Sequence, residues 1–287
     1  MQIFVYGNDA RLAECRRLLW QRAMEDAVLA RQFRGIHLLP IPSRSVKAED
    51  MRCSFPSVIR GEECLFREEC EEDYNAENPS QKSLVVGYEV PSFIYEMDGV
   101  EVFDLAEEEP FLWRNARLCA LGMVGILLTE HTRVPSEMRV GVIGYGRIGK
   151  EVCDLLTFLE TPLVVFTSNQ EAVTSLAEKG IASVLVNWKE KNTCNVNESL
   201  QNNGVFIPLD ILINTSPSPM GEMFYDGFCG TVYDLASGKP IPERVKHTRL
   251  SSLSMRMYAQ SAGAAVYRAI VGKYDVAREE RRGNECC

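Results

Sequence analysis

Histidine is scarce in this chain, at three residues in 287. Chemistry built on clustered imidazoles therefore has few candidates. Dense basic runs are also missing. With 31 basic and 40 acidic residues, a net charge of −9 and a pI near 5.1, the surface repels a phosphate backbone, so no nucleic acid is expected as a partner. Ten cysteines occur without a C-x-x-C pair, and some, such as Cys119 and Cys153, fall on apolar helix positions. That usage fits reduced thiols in a cytoplasmic protein. Cys53, Cys64 and Cys70 are joined by no histidine and lack a metal-site spacing, so no metal is expected. A basic leader with an apolar core is absent from the start, which reads instead as a first strand. The longest apolar run, Leu118 to Leu128, is about 11 residues where a membrane span needs roughly 20, so no membrane association is expected. Neither an internal repeat nor a long low-complexity segment is visible.

What is present is the composition of a globular protein, 46% hydrophobic and 25% charged, at a length that suits two domains. Gln2 to Tyr6 alternates as a strand and feeds a helix carrying Leu12, Cys15, Leu18 and Leu19 at helical spacing. Apolar runs at Ile36 to Leu39, Ser57 to Ile59, Leu84 to Val86 and Val100 to Phe103 complete a small α/β domain. A run of acids between Glu62 and Glu77, with Arg67 as its base, reads as a solvated face or loop. Phe111 to Glu130 predicts a buried connecting helix. Strand and helix then alternate: Arg139 to Ile143, Gly146 to Leu159, Leu163 to Phe166, Gln170 to Lys179 and Ser183 to Val186. Further strands are expected at Ile211 to Asn214, Thr231 to Asp234 and His247 to Leu250, before a last helix over Met257 to Tyr274. The fold class is α/β, a Rossmann-type doubly wound parallel sheet with a second, smaller α/β N-terminal domain. The expected boundaries are 1–112 for the first domain, 113–255 for the linking helix and Rossmann domain, and 256–287 for the returning helix.

The segment Val140 to Val152 runs an apolar strand into Gly144-Tyr145-Gly146-Arg147-Ile148-Gly149 and on into an amphipathic helix. In that context G-x-G-x-x-G is a dinucleotide fingerprint. Gly144 makes the turn, Gly146 lets the pyrophosphate approach, and Gly149 lets the helix pack on the sheet. At the end of the second strand, where an acid would hold the ribose 2′-hydroxyl of NAD, the chain has Thr167-Ser168-Asn169. This neutral end favours NADP, with NAD the alternative, and Arg147 offers a charge to the 2′-phosphate. Thr215, Ser216 and Pro217 follow the fourth strand, and Asp234 and Ser237 the fifth, where ligands of open α/β sheets bind; ordinary turns explain these residues equally well.

Taken in order, Gly7-Asn8-Asp9-Ala10-Arg11, Val86-Gly87-Tyr88, Asn115, Gly122, the glycine turn, Asn214-Thr215 with Pro217, Asp234-Leu235-Ala236-Ser237 and Ala262-Gly263 resemble the A subunit family of bacterial dipicolinate synthase, itself related to the D-isomer 2-hydroxyacid dehydrogenases. The resemblance spans nearly the whole chain. It implies two domains enclosing a cleft, a last helix returning to the first domain, and NADP-dependent oxidation of a small anionic, dihydrodipicolinate-like substrate. Asp9, Arg11, Asn115 and Arg256 are the expected lining of that cleft, an arginine fork suiting a carboxylate. For Asp9 and Arg11 a helix cap with a local ion pair is the competing reading. A homo-oligomer is expected, and the resemblance to one component of a synthase raises a partner subunit. Two departures concern the substrate: the family's Pro-Thr-x-Glu-Gly on the linking helix is here Leu118-Cys119-Ala120-Leu121-Gly122, and its Pro-Gly-rich loop before the last helix is here Ser251 to Met257. The catalytic residues are not assigned, and His131 and His247 are expected on surface turns. A non-catalytic, regulatory NAD(P)-binding protein and a 2-hydroxyacid dehydrogenase are the alternative readings.

Overall fold

The computed structural model describes residues 2–25, 32–47, 81–187, 196–197, 200, 208–219, 221–238 and 241–284. The strand expected at Ser57 to Ile59, the acidic run between Glu62 and Glu77, and Cys53, Cys64 and Cys70 lie outside these residues. The chain divides into two compact units, one of Met1–Leu112 with Ala259–Cys287 and one of Trp113–Tyr258.

The first unit holds a four-stranded parallel sheet in sequential order: β1 (Gln2–Val5), β2 (Phe33–Leu38), β3 (Lys82–Gly87) and β4 (Val100–Asp104). Helix α1 (Ala10–Glu25) follows β1, and the one-turn helix α2 (Ser92–Tyr95) precedes β4. On one face Leu12, Cys15 and Leu19 of α1 join Ile36, Leu84, Val86 and Phe103 in a single apolar cluster. Val266, Ile270 and Tyr274, from the end of the chain, complete it. A Cβ on Gly263 would run into the Arg11 carbonyl oxygen, so the last helix can lie against α1 only because this residue is glycine. Leu39, Val85, Val90 and Ile94 fill the other face.

The second unit opens with α3 (Glu109–Glu130), which starts within the first unit's stretch, and continues β5 (Val140–Ile143), α4 (Arg147–Phe158), β6 (Leu163–Thr167), α5 (Gln170–Glu178), β7 (Ala182–Leu185), β8 (Ile211–Asn214), β9 (Thr231–Asp234) and β10 (Thr248–Arg249). All pairings are parallel, in the order β10-β9-β8-β5-β6-β7. Read from β7, this is the 3-2-1-4-5-6 order of the dinucleotide-binding sheet. Both faces are covered, so the strands are apolar throughout while their side chains still alternate. Val140, Val142, Val165, Ile211, Ile213 and Tyr233 point to one cluster. Ile143, Val164, Phe166, Leu212 and Val232 point to the other.

By length and composition α3 is the one helix among the described residues that could cross a membrane, at 22 residues and a mean hydropathy of 1.4. Its Ala120, Met123, Val124 and Leu127 are packed into the sheet's apolar cluster, as the connecting-helix reading expects. The last helix, α6 (Leu253–Asn284), begins earlier than the hydrophobic spacing predicts and runs further, with a non-helical residue at Tyr258 (φ −139°, ψ 49°). It starts at Leu253 because the amides of Met255 and Arg256 already donate to the Ser252 carbonyl, and no proline or glycine interrupts Ser251 to Met257. The expected His247 to Leu250 strand shrinks to Thr248–Arg249.

Candidate dinucleotide site

The site is built where β5 stops. Gly144 takes φ +89°, a value that bars most side chains, and turns the chain out of the sheet while its amide still donates to the Phe166 carbonyl at 2.8 Å. Gly146 then caps α4 in extended backbone with no side chain bonded to the helix amides, leaving the first turn's N–H groups to the space in front of them. A Cβ built on Gly146 meets nothing within 4 Å. One on Gly149 would strike the Gly144 carbonyl oxygen and stand 2.9 Å from Thr215 Oγ1. The two glycines thus differ: one leaves the approach to a helix N-terminus open, the other permits a close crossing of helix and turn.

The neighbouring strand locks this turn. Thr215 donates its hydroxyl to the carbonyls of Ile143 (2.9 Å) and Gly144 (3.2 Å), and its amide to Ile143. Asn214, fully buried at the end of β8, binds both backbone groups of Ser216: Oδ1 accepts from its amide at 3.1 Å and Nδ2 donates to its carbonyl at 3.2 Å. The same Nδ2 donates to Asp234 Oδ1 at 2.8 Å, and that oxygen also accepts the Ala236 amide. Gly144, Gly149, Thr215, Ser216 and Asp234 are therefore brought together, as the positions after the strands require. Asn214, which joins them, is the residue that reading from the chain alone underweights, because an amide at a strand end looks like ordinary turn chemistry.

Other expected residues are placed differently. Tyr145 and Ile148 turn their side chains into the apolar cluster beneath α4, and the Tyr145 hydroxyl meets Lys179 Nζ at 3.5 Å. Arg147 is exposed at the first position of α4. At the end of β6, Thr167 is buried, 3% exposed, and its hydroxyl accepts the Asn169 amide at 3.2 Å. Asn169 caps α5, its Oδ1 accepting from the Glu171 and Ala172 amides. Ser168, by contrast, is exposed, as are Pro217 and Ser237.

Of the residues expected to meet substrate, Asp9 and Arg11 are engaged with each other. Arg11 Nη2 lies 2.7 Å from Asp9 Oδ2, its Nε donates to Asp9 Oδ1, and Nη2 also donates to the Ile41 carbonyl at 2.8 Å. The Arg11 amide donates to Asp9 Oδ1 as well, so this is the helix cap with its local ion pair, and both side chains are buried. Asn115 accepts from the buried Ser254 hydroxyl at 2.8 Å, while Arg256 is exposed. Leu253 packs against Gly122, where a Cβ would lie 2.8 Å from Leu253 Cγ.

All three histidines are placed, and none stands immediately beyond the carboxyl end of a strand in the second unit's sheet. His37 is buried in β2, bonded through Nδ1 to the Tyr6 hydroxyl at 2.8 Å. His131 precedes β5; the Tyr233 hydroxyl donates its one hydrogen to Glu130, so it accepts from His131 Nε2 at 2.9 Å. His247 precedes β10 and binds the Val245 carbonyl. A cavity of about 690 Å³ lined by Cys229, Gly230, Arg244, Lys246 and His247 opens where β9 begins, the far end of that strand from Asp234. It is not the dinucleotide edge.

The strand order, the glycine turn and the locked loop after β8 define a Rossmann unit of the dinucleotide-binding type. Comparison with known proteins agrees: residues 140–195 match the TrkA-N domain family. No curated protein matches the chain by sequence. In fold, it is similar to the A chain of dipicolinate synthase from Bacillus subtilis, at a TM-score of 0.65 and 16% identity, covering 98% of this chain and 97% of that one. The corresponding chain of the synthase from Bacillus halodurans gives 0.62 and 16%, covering 95% and 97%. A transhydrogenase from Sinorhizobium meliloti gives 0.51 and 12%, covering 95% and 92%.

Proposed function

We propose that the chain is an NADP-dependent oxidoreductase acting on a small anionic, dihydrodipicolinate-like substrate. The observation that carries the reading is Gly146, whose missing side chain leaves open the approach to the uncapped amides of α4 while Gly149 and Thr215 fix that helix against the turn. A pyrophosphate fits such a place, because the amides and the helix dipole both favour an anion. The bound nicotinamide would supply hydride transfer. The chain's own part is to hold the dinucleotide through the Gly144 to Gly149 backbone and to keep the Ser216 loop rigid beside it through Asn214.

Preference for NADP rests on the end of β6, where no acid stands to repel a 2′-phosphate and exposed Ser168 and Arg147 carry donors. Thr167 contributes no free hydroxyl there, being buried against Asn169. The substrate class follows the structural likeness to the two dipicolinate synthase chains, and the exposed Arg256 offers a fork for a carboxylate. A second reading, a dinucleotide-binding regulator without turnover, is favoured by one observation: no histidine stands at the carboxyl ends of the sheet's strands, His247 lying just before β10 in the cavity where β9 begins.

Fluorescence titration with NADPH and NADH, followed by turnover assays on dihydrodipicolinate-type and 2-keto acid substrates, decides between them. Tighter NADPH binding with oxidation of the dihydrodipicolinate type is the expected result. Binding without turnover on either panel selects the regulator, and no binding of either dinucleotide overturns both.

A further inference from the structure

Strand alternation and register bring two polar residues to one face of the second unit's sheet, and a 3-10 turn adds a third to the same apolar cluster. Asn214 pairs with Asp234 across β8 and β9, and each points to the side of Leu212 and Val232, whose apolar cluster also contains Tyr225. Tyr225 closes the short 3-10 turn Glu222–Tyr225 and is 6% exposed; Asp234 is 1% exposed.

Two atoms on this face are left over. Asp234 Oδ1 accepts from Asn214 and Ala236, but Oδ2 is buried with no hydrogen-bond partner, and so is the Tyr225 hydroxyl. Buried polar atoms are satisfied in the great majority of cases, so a lone donor and a lone carboxylate oxygen in one cluster call for each other. The phenol is suited to donating: burial first, and the charge of Asp234 second, hold it well above the usual tyrosine range. The two atoms are not bonded as they stand, and a shift of the turn that carries Tyr225 would bring the hydroxyl to Oδ2.

We propose that Tyr225 is a positioning residue for the dinucleotide edge: its hydroxyl is the donor for Asp234 Oδ2, and so anchors the chain of bonds from Asp234 through Asn214 to the Ser216 backbone beside the glycine turn. The effect on cofactor rests on the dinucleotide reading above, but the effect on the loop does not. Tyr225 touches neither cofactor nor substrate in this scheme. It acts by fixing the direction of a carboxylate that in turn fixes an amide.

The experiment uses the full chain as Tyr225→Phe, Asp234→Asn and the double variant. Hydrogen exchange resolved at single amides reads the loop directly. In Tyr225→Phe the Ser216 and Ala236 amides should exchange roughly tenfold faster, the scale of one lost bond to a charged group, while Val165 and Val142 in the sheet keep their rates. NADPH titration should show binding weakened about fivefold to tenfold by the same change. In the Asp234→Asn background Tyr225→Phe should add little to either effect, because the acceptor it serves has been altered. Unchanged exchange at Ser216 in Tyr225→Phe, or equal effects in both backgrounds, overturns the proposal. Faster exchange with no dinucleotide bound by the unsubstituted protein would uphold the bonded chain and overturn only the assignment of the edge to a cofactor.

Discussion

Gly149 lies so close beneath Gly144 that one added carbon would overlap the Gly144 carbonyl oxygen, whereas the same carbon on Gly146 would touch nothing. The three glycines of the turn are therefore constrained for different reasons, and substitutions separate them.

Gly149→Ala is expected to destabilise the protein, by about 1–3 kcal/mol as for other forced overpacking, because the helix must back away from the turn. Gly146→Asp should leave the melting temperature nearly unchanged and abolish dinucleotide binding, since a carboxylate would occupy the anion's approach. Thermal melts and NADPH titrations on both variants check the pair. Gly146→Asp binding NADPH as tightly as the parent would remove the assigned site.

The test of cofactor choice belongs at Ser168. An acid at Thr167 would have to be buried, because β6 directs that side chain inward, whereas Ser168 is exposed at the same strand end. Ser168→Asp places a charge beside a 2′-phosphate and an acceptor beside a 2′-hydroxyl, so the ratio of NADPH to NADH affinity should fall by about tenfold to a hundredfold, roughly 1–3 kcal/mol. An unchanged ratio would show that this strand end does not choose the cofactor.

Arg11→Ala should lower stability by about 3 kcal/mol, since it leaves the buried Asp9 carboxylate without its fork and the Ile41 carbonyl without its donor. Affinity for NADPH should stay within about threefold, because the pair belongs to the other unit. Should stability hold while only substrate KM rises, Arg11 would be a substrate ligand.

His37 makes stability depend on pH. Burial, with the Arg34 charge adding to it, pushes the imidazole down to about 3 from its usual 6.5. Between those values the unfolded chain binds a proton that the folded chain refuses, so the contribution is present above pH 6.5 and is lost as pH falls toward 3. From pH 7.5 to pH 5 the loss attributable to this residue should be about 2 kcal/mol. Urea unfolding at the two pH values, compared between the parent and His37→Phe, isolates it; equal pH slopes in both proteins would contradict this assignment.

Much of this was legible from the chain because the parallel strands are buried on both faces and announce themselves as short apolar runs between helices. Val140 to Gly149 is a local signal, since the turn's requirements fall on consecutive residues. The inward direction of Thr167 could also have been read, as it shares strand parity with Val165. Tyr225 carries no such mark: it sits in a short turn, and its importance comes from a residue on another strand whose direction only the assembled sheet sets. Asp9 and Arg11 show the reverse case. Their spacing fits both a cap and a carboxylate clamp, and only the Ile41 carbonyl, 30 positions away, reveals that the guanidinium is already held.

The first unit's core takes Val266, Ile270 and Tyr274 from the far side of a 146-residue excursion, Trp113 to Tyr258, through the other unit. During synthesis the Rossmann unit can therefore close as soon as its own continuous stretch has emerged. The first unit's sheet and α1 must wait, with the apolar faces of Leu12, Leu84 and Phe103 uncovered, until residues about 260 positions after β1 arrive. The four-stranded sheet is thus finished only after the unit that interrupts it, and loss of the returning helix would uncover that sheet's apolar face rather than disturb the Rossmann unit.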